Sequence, residues 1–141
     1  MKILVAVDGS KTSLKAVKYA INLAKLIEKK PTLTLVNVHN DEPLNRIKSF
    51  VGKSEVENYF IETSQKELNP TRKLLNASGI NHNFVIELGH VSESIVNLAN
   101  KGKFNMIIMG AKGRTGIMDV IMGSVAQRVS SIAKQPVLLI K

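Results

Sequence analysis

The stretch "KILVAVDGS", residues 2–10, holds the first unit of the fold. Residues 2–7 are mostly apolar and β-branched, and they run into the turn-forming residues "DGS", which is typical of a buried strand followed by a turn. Apolar residues then recur every three or four positions from Leu14, so a helix is expected to about Glu28, capped by Ser10 or Thr12 and stopped by Pro31.

The same alternation of strand and helix continues to the end of the chain. Further helices are expected over 54–77, with a bend or break at Asn69-Pro70 and a stop at Gly79, from a cap at Ser92, and from Ser124. The polar segment 39–53 is expected to be a loop. Further strands are expected at 32–38, 81–88, 104–109 and 137–141.

Strands that alternate with helices and are apolar throughout predict an α/β fold. Such a pattern favours an open parallel sheet with helices on both faces. The length of 141 residues, without repeats or low-complexity linkers, predicts one domain over 1–141.

Composition narrows the classes of protein further. The chain is 44% hydrophobic and has no cysteine, so it can form a core but no disulfide or thiolate metal site. No apolar run approaches the ~20 residues that span a bilayer, and the apolar N-terminal run is too short for a secretory signal. We therefore expect a cytoplasmic protein without a membrane partner.

The formal net charge of +9 is open to two interpretations. It can simply maintain solubility, or it can attract an anionic partner. Nucleic acid is not favoured, because the lysines and arginines are scattered and the six aromatic residues form no RNA-binding signature.

The segment "GAKGRTGIMDVIMGS", residues 110–124, follows the fourth predicted strand and is the strongest candidate for a binding site. It contains neither a Walker loop nor a dinucleotide-binding glycine motif. Its glycines allow a ligand close to the main chain, and Gly123-Ser124 opens a helix whose free N–H groups favour an anion. Lys112 and Arg114 add positive potential. The alternative is a plain surface loop with a helix cap.

Asp8 is the second candidate, since it follows the first strand. Ligands of open parallel sheets bind beyond the carboxyl ends of the strands. A carboxylate there suits a ribose hydroxyl or Mg²⁺. The alternative is an Asx-type turn or a helix cap.

These segments together resemble the universal stress protein family. "ILVAVDGS", "GAKGRTGIMDVIMGSVAQRV" and "KQPVLLIK" are similar to its motifs, and the spacing of Gly-x-x-Gly, nine residues and Gly-Ser matches its nucleotide-binding members. The resemblance covers essentially the whole chain. It implies a Rossmann-like sheet of strand order 3-2-1-4-5, with the ends of strands 1 and 4 side by side.

The resemblance also implies a binding site for ATP, or for AMP or ADP, with Mg²⁺ accompanying the nucleotide. Adenine would lie against Ala6 and Val38, and Asp8 would bind the ribose or the cation. The nucleotide-binding residues expected in all are Ala6, Val7, Asp8, Val38, Met109, Gly110, Lys112, Gly113, Arg114, Gly123, Ser124 and Val125.

The chain departs from the family pattern in two places. Asn37 stands where many members have histidine, and Val91-Ser92 stands where Pro-Ala is common. Neither position belongs to the phosphate-binding segments, so only the placement of adenine becomes less certain.

We therefore expect a stress-response sensor or regulator with slow or no hydrolysis and an unidentified protein partner. An ATPase of related fold is the alternative, but hydrolysis needs a base near the γ-phosphate, and Asp119 has no evident orienting partner. A nucleotide-independent interaction module is a third possibility, which the glycine motif disfavours.

Three dispersed histidines, His39, His82 and His90, suggest no metal site. The apolar last strand, 136–141, is expected at a sheet edge, where the resemblance implies a homodimer.

Overall fold

The structure is a computed structural model that describes residues 1–40, 42, 46, 52–114 and 122–141. Its strands are β1 (Lys2–Ala6), β2 (Thr32–His39), β3 (His82–Leu88), β4 (Met106–Gly110) and β5 (Val137–Ile140). Its helices within these ranges are α1 (Lys11–Leu26), α2 (Lys53–Ser78), α3 (Val91–Lys101) and α4 (Ser124–Ile132). Most of the segment 39–53 and of the spacer between Arg114 and Gly123 lies outside the described residues.

The five strands form one parallel sheet in the order β3-β2-β1-β4-β5. β1 is central, and its Val5 pairs with Leu35 of β2 on one side and with Ile108 of β4 on the other. The predicted α/β class, parallel sheet and strand order are thereby confirmed. The order also puts the carboxyl ends of β1 and β4 next to each other.

Successive residues of β1 face opposite sides of the sheet, and each side has its own core. Ile3 and Val5 pack with α1 and α2, whereas Leu4 and Ala6 pack with α3 and α4. Helices therefore cover both faces, as the apolar strands predict.

The turn after β1 resolves which residue caps α1. Ser10 is the N-cap, and its Oγ accepts a hydrogen bond from the backbone N–H of Ser13 at 3.1 Å. Gly9 has a φ of +80°, a conformation that side chains disfavour. The turn also packs tightly, because a Cβ on Gly9 would lie 3.0 Å from Cγ of Glu67 in α2.

Two predicted features of the helices, a break at Asn69-Pro70 and a cap at Ser92, are wrong. α2 is not interrupted at Pro70: it continues to Ser78 and ends at Gly79, whose φ is +71°. Burial of Leu68, Thr71 and Leu75 on either side of the proline explains why the helix persists.

The predicted cap at Ser92 is also wrong, because Ser92 lies inside α3. The helix begins at Val91 with His90 as N-cap, immediately after Gly89, which has a φ of +150°. The glycine turns the chain sharply enough for the N-cap to lie two residues before the predicted one.

Strand β4 begins two residues later than predicted. Phe104 is buried, but it lies in the turn that closes α3, where its N–H donates to the carbonyl of Ala99 at 3.0 Å. A buried apolar residue beside a strand is indistinguishable from a strand residue by pattern alone, so the sequence could not locate this boundary.

Candidate functional site

The loops that follow β1 and β4 border one cavity of about 220 Å³ at the carboxyl edge of the sheet. All the residues expected to bind nucleotide line it, namely Ala6, Val7, Asp8, Val38, Met109, Gly110, Lys112, Gly113, Arg114, Gly123, Ser124 and Val125. The structure thus brings together residues from opposite ends of the sequence, although their role in binding remains a prediction.

One wall of the cavity is apolar and belongs to the core between the sheet and α3. It is formed by Ala6, Val36, Val38, Ile95 and Met109, all of which are nearly or fully buried. A wall of aliphatic side chains next to strand ends suits a flat, apolar ring system such as a nucleobase.

Asp8 stands where the apolar wall gives way to polar groups. Its Oδ1 accepts a hydrogen bond from the backbone N–H of Ser10 at 2.9 Å, so the Asx-type turn is present. Its Oδ2 faces Gly113, where an added Cβ would lie only 3.2 Å away. The two interpretations of Asp8 are compatible, because one oxygen supports the turn while the other faces the cavity.

The start of the glycine loop is fastened to α1. Thr12 Oγ1 donates to the carbonyl of Lys112 at 2.5 Å, and a Cβ on Gly110 would lie 3.0 Å from Thr12 Cβ and carbonyl carbon. Neither Gly110 nor Gly113 has a positive φ. Glycine is therefore favoured at these two positions by the close approach of Thr12 and Asp8 and not by a positive φ.

The N-terminus of α4 also borders the cavity, beside the loop after β4. Gly123 is its N-cap, and its N–H donates to the carbonyl of Ala111 at 2.8 Å, which joins the helix to the loop after β4. The first N–H groups of a helix have no partner within it, and Gly123 has no side chain to cap them. Backbone donors of Ser124 and Val125 at the cavity, with the positive end of the helix dipole, favour an anion.

A polar cluster made of Asn37, His39, Glu67 and Arg114 adjoins the cavity. Glu67 Oε1 accepts from Arg114, and Glu67 Oε2 accepts from Asn37 Nδ2 at 2.9 Å and lies 3.3 Å from His39 Nε2. Asn37 is fully buried and also donates to the carbonyl of Val7 at 2.8 Å. The cluster thus connects α2 to the ends of both β1 and β2.

His39 is a titratable member of this cluster, and its environment shifts its pKa. Burial lowers its pKa below the ordinary 6.5, the nearby Glu67 carboxylate partly opposes this, and the Arg114 guanidinium lowers the pKa further. Its ring also meets Phe60 edge to face at 5.0 Å. His39 is therefore a packed strand-end residue rather than a solvated one.

The other two histidines, His82 and His90, do not belong to this cluster. His82 Nδ1 lies 2.8 Å from the carbonyl of Ile80, and His90 caps α3. Within the described ranges, no three acidic or histidine side chains come together as a metal site. A cation at Asp8 therefore stays a prediction that depends on bound nucleotide, and Asp119 lies outside the described residues.

Sequence reasoning missed several residues that line the cavity, and it missed Glu67, which does not line the cavity but contacts Arg114, which does. Val36 could have been found, because it shares a strand face with Val38, but Glu67 carries no signal in its own segment. It lies in a long polar helix, and only the packing of α2 on Gly9 brings it to the site. The other cavity residues not predicted are Ser13, Val91, Ile95 and Ala126.

Comparison with known sequences now identifies the family. The sequence model of the Universal stress protein family matches residues 1–141. The chain belongs to the universal stress protein family. It is 33% identical over 141 residues to the universal stress protein MJ0531 of Methanocaldococcus jannaschii, covering 99% of this chain and 81% of that protein.

Solved structures of the family share the fold. The structure of MJ0577 of M. jannaschii has a TM-score of 0.86 and 27% identity, with 99% of this chain and 94% of that chain covered. A universal stress protein in complex with cAMP has a TM-score of 0.70 and 19% identity, covering 100% and 97%. An Arabidopsis thaliana family member with AMP bound has a TM-score of 0.60 and 15% identity, covering 100% and 91%.

The described part of the chain offers no helix with both the length and the apolar character needed to cross a bilayer.

Proposed function

We propose that this universal stress protein binds an adenine nucleotide, with ATP as the first candidate, in the cavity between β1 and β4. The observation that carries the proposal is the change from an aliphatic wall at Val36 and Val38 to backbone donors at Ser124 and Val125 within one cavity. A base needs the first environment and a phosphate chain needs the second.

Each part of the nucleotide then has a place. Adenine lies against the aliphatic wall that includes Ala6 and Val38, and Asp8 Oδ2 accepts from a ribose hydroxyl or holds Mg²⁺. The phosphates lie against the N-terminus of α4, with Lys112 and Arg114 contributing positive charge.

Mass analysis of the ligand released on heat denaturation of purified protein tests this proposal. An adenine nucleotide near one equivalent per chain supports it, and the identified species also tells whether ATP, ADP, AMP or cAMP is retained. The family structures with cAMP and AMP are distant relatives that support the fold, so they leave this choice open. Protein that emerges without nucleotide, and takes none up from millimolar Mg·ATP, would contradict the proposal.

We further propose that the protein is a cytoplasmic stress-response regulator that binds its nucleotide and hydrolyses it slowly or not at all. In this proposal, an unidentified protein partner responds to whether the nucleotide site is occupied. Asp8 Oδ1 accepts from Ser10 and its Oδ2 is assigned to the ribose or Mg²⁺, while Glu67 accepts from Asn37 as well as from Arg114, so neither carboxylate is assigned as a base for hydrolysis. Product formation after overnight incubation with Mg·ATP tests the alternative of an ATPase, which a turnover above about 1 s⁻¹ would favour.

The protein is also proposed to form a homodimer through β5. This strand is at the edge of the sheet beyond β4, and its four apolar residues are only partly buried within one chain. Such an edge is open to antiparallel pairing with a second copy of residues 136–141. Analytical ultracentrifugation should show a dimer at micromolar concentration, and a monomer there would overturn this proposal.

A further inference from the structure

Glu67 holds an unusual position for a carboxylate on a polar helix. Its side chain is only 12% exposed, and its two oxygens contact Arg114, Asn37 and His39. The Cγ of Glu67 also packs against the Gly9 turn, close to Asp8. The carboxylate is thereby fixed next to the cavity.

Arg114 lies between the Glu67 carboxylate, which accepts its hydrogen bond, and the cavity proposed to hold the phosphates. Its guanidinium donates to Glu67, yet Arg114 also lines the cavity in which the phosphates are proposed to lie. The side chain is 52% exposed, so it can move more readily than the buried carboxylate that holds it. Arginine binds phosphate and carboxylate with the same planar donor geometry.

We propose that Glu67 is a positioning residue that competes with the nucleotide phosphates for Arg114. Binding of a nucleotide then transfers the guanidinium from Glu67 on α2 to the phosphate chain. This inference rests on the proposed nucleotide site and adds a residue that controls its affinity and its preference among phosphate chain lengths.

The remaining partners of Glu67 make such a transfer feasible. When Arg114 leaves, Asn37 Nδ2 still donates to Glu67 Oε2, and His39 Nε2 is within 3.3 Å of the same oxygen. Glu67 from α2 and Arg114 from the loop after β4 are the charged groups that act on His39. Loss of the nearby guanidinium raises the pKa of His39, so a proton can replace the departed positive charge.

Calorimetric titration of Glu67→Gln with ATP, AMP and adenosine tests the competition. A partly exposed ion pair contributes only a modest free energy. Relative to wild type, we therefore expect about 3- to 10-fold tighter ATP binding, a smaller gain in affinity for AMP and less than about a 2-fold change for adenosine. Glu62→Gln is the matched control, because it removes a carboxylate from an exposed position of the same helix and should leave all three affinities unchanged.

The double variant separates competition from a general charge effect. In an Arg114→Gln background, Glu67→Gln should change ATP affinity by less than about 2-fold, because no guanidinium remains to be released. An equal gain in both backgrounds, or weaker ATP binding in the single variant, would overturn the inference while leaving nucleotide binding intact. A wild-type protein that binds no nucleotide would overturn both.

A second measurement leaves Glu67 unaltered. NMR titration of the His39 ring should give a higher pKa in Arg114→Gln than in the wild type when no nucleotide is present. ATP should then raise the pKa of His39 more in the wild type than in the variant, since only the wild type loses the guanidinium on binding. Equal shifts in the two proteins would contradict the transfer of Arg114.

Discussion

Asp8 and Gly113 face each other at the cavity, so that a Cβ added to Gly113 would lie 3.2 Å from Asp8 Oδ2. The first residue stands beyond β1 and the second beyond β4, neighbouring strands with parallel register. Because Gly113 has no side chain, none stands between this carboxylate oxygen and the loop after β4.

Gly113→Ala should weaken ATP binding by about 10-fold. The new methyl group crowds a carboxylate that cannot withdraw without breaking its bond to Ser10, and overpacking of this size costs about 1–3 kcal/mol. Calorimetry gives the affinity. Gly52→Ala is the matched control, because its added Cβ meets no atom of the described residues within 4 Å, and binding should not change. Equal affinities in the two variants would contradict the tight fit at Gly113.

Asp8→Asn and Asp8→Ala should separate the two roles of Asp8. Asparagine keeps an oxygen for the Ser10 N–H, so its melting temperature should stay within about 2 °C of wild type, whereas alanine should lose about 1 kcal/mol of stability. Both variants should bind Mg·ATP about 10-fold more weakly, because they lack the charge. Wild-type affinity in Asp8→Asn would mean that Asp8 serves only the turn.

Gly123→Val should remove nucleotide binding and spare the fold. A Cβ at this position meets its neighbours at 3.5 Å, which is ordinary contact, but branched methyl groups cover the first N–H groups of α4. Loss of one or two hydrogen bonds to a charged group, at about 1.5–3 kcal/mol each, predicts about 100-fold weaker ATP binding by calorimetry. Gly123→Ala serves as the milder comparison. Undiminished binding in the valine variant would mean that phosphates do not contact this helix end.

His39→Gln should make the protein less sensitive to mild acid. Burial lowers the pKa of His39 in the folded protein, so between that pKa and the ordinary 6.5 the unfolded chain binds more protons. The contribution of His39 to stability is therefore complete above about pH 6.5 and declines as pH falls below it. Thermal melts at about pH 7.5 and about pH 5.5 should show a smaller drop in the variant. An equal drop would exclude His39 as the source.

The sequence predicts most of the fold because its signals are local. Apolar strands followed by turns predict β1 through β5, and helical periodicity predicts α1 and α4 to within a few residues. The two errors in the helices arise where tertiary packing or a glycine turn overrides a local signal, and the late start of β4 is a separate boundary error. Burial of Leu68 and Leu75 carries α2 past Pro70, and the turn at Gly89 starts α3 before Ser92.

In the candidate site too, residues within local motifs could be predicted, whereas residues placed by tertiary packing could not. Residues within the two motifs could be predicted to come together, because strand order alone brings Asp8 to the glycine loop. Glu67 could not, since its place depends on how a long polar helix packs against the Gly9 turn. For Asn37, the sequence shows that the residue departs from the family pattern. It does not show the hydrogen bonds that Asn37 donates to Val7 and Glu67, because these depend on tertiary packing.

Calorimetric titration of nucleotide-free protein with Mg·ATP tests most directly whether this cavity binds an adenine nucleotide. We predict a saturable heat that fits one site per chain, accompanied by a rise in melting temperature that grows with ligand concentration. A titration to millimolar Mg·ATP that gives neither heat nor a rise in melting temperature would contradict the account.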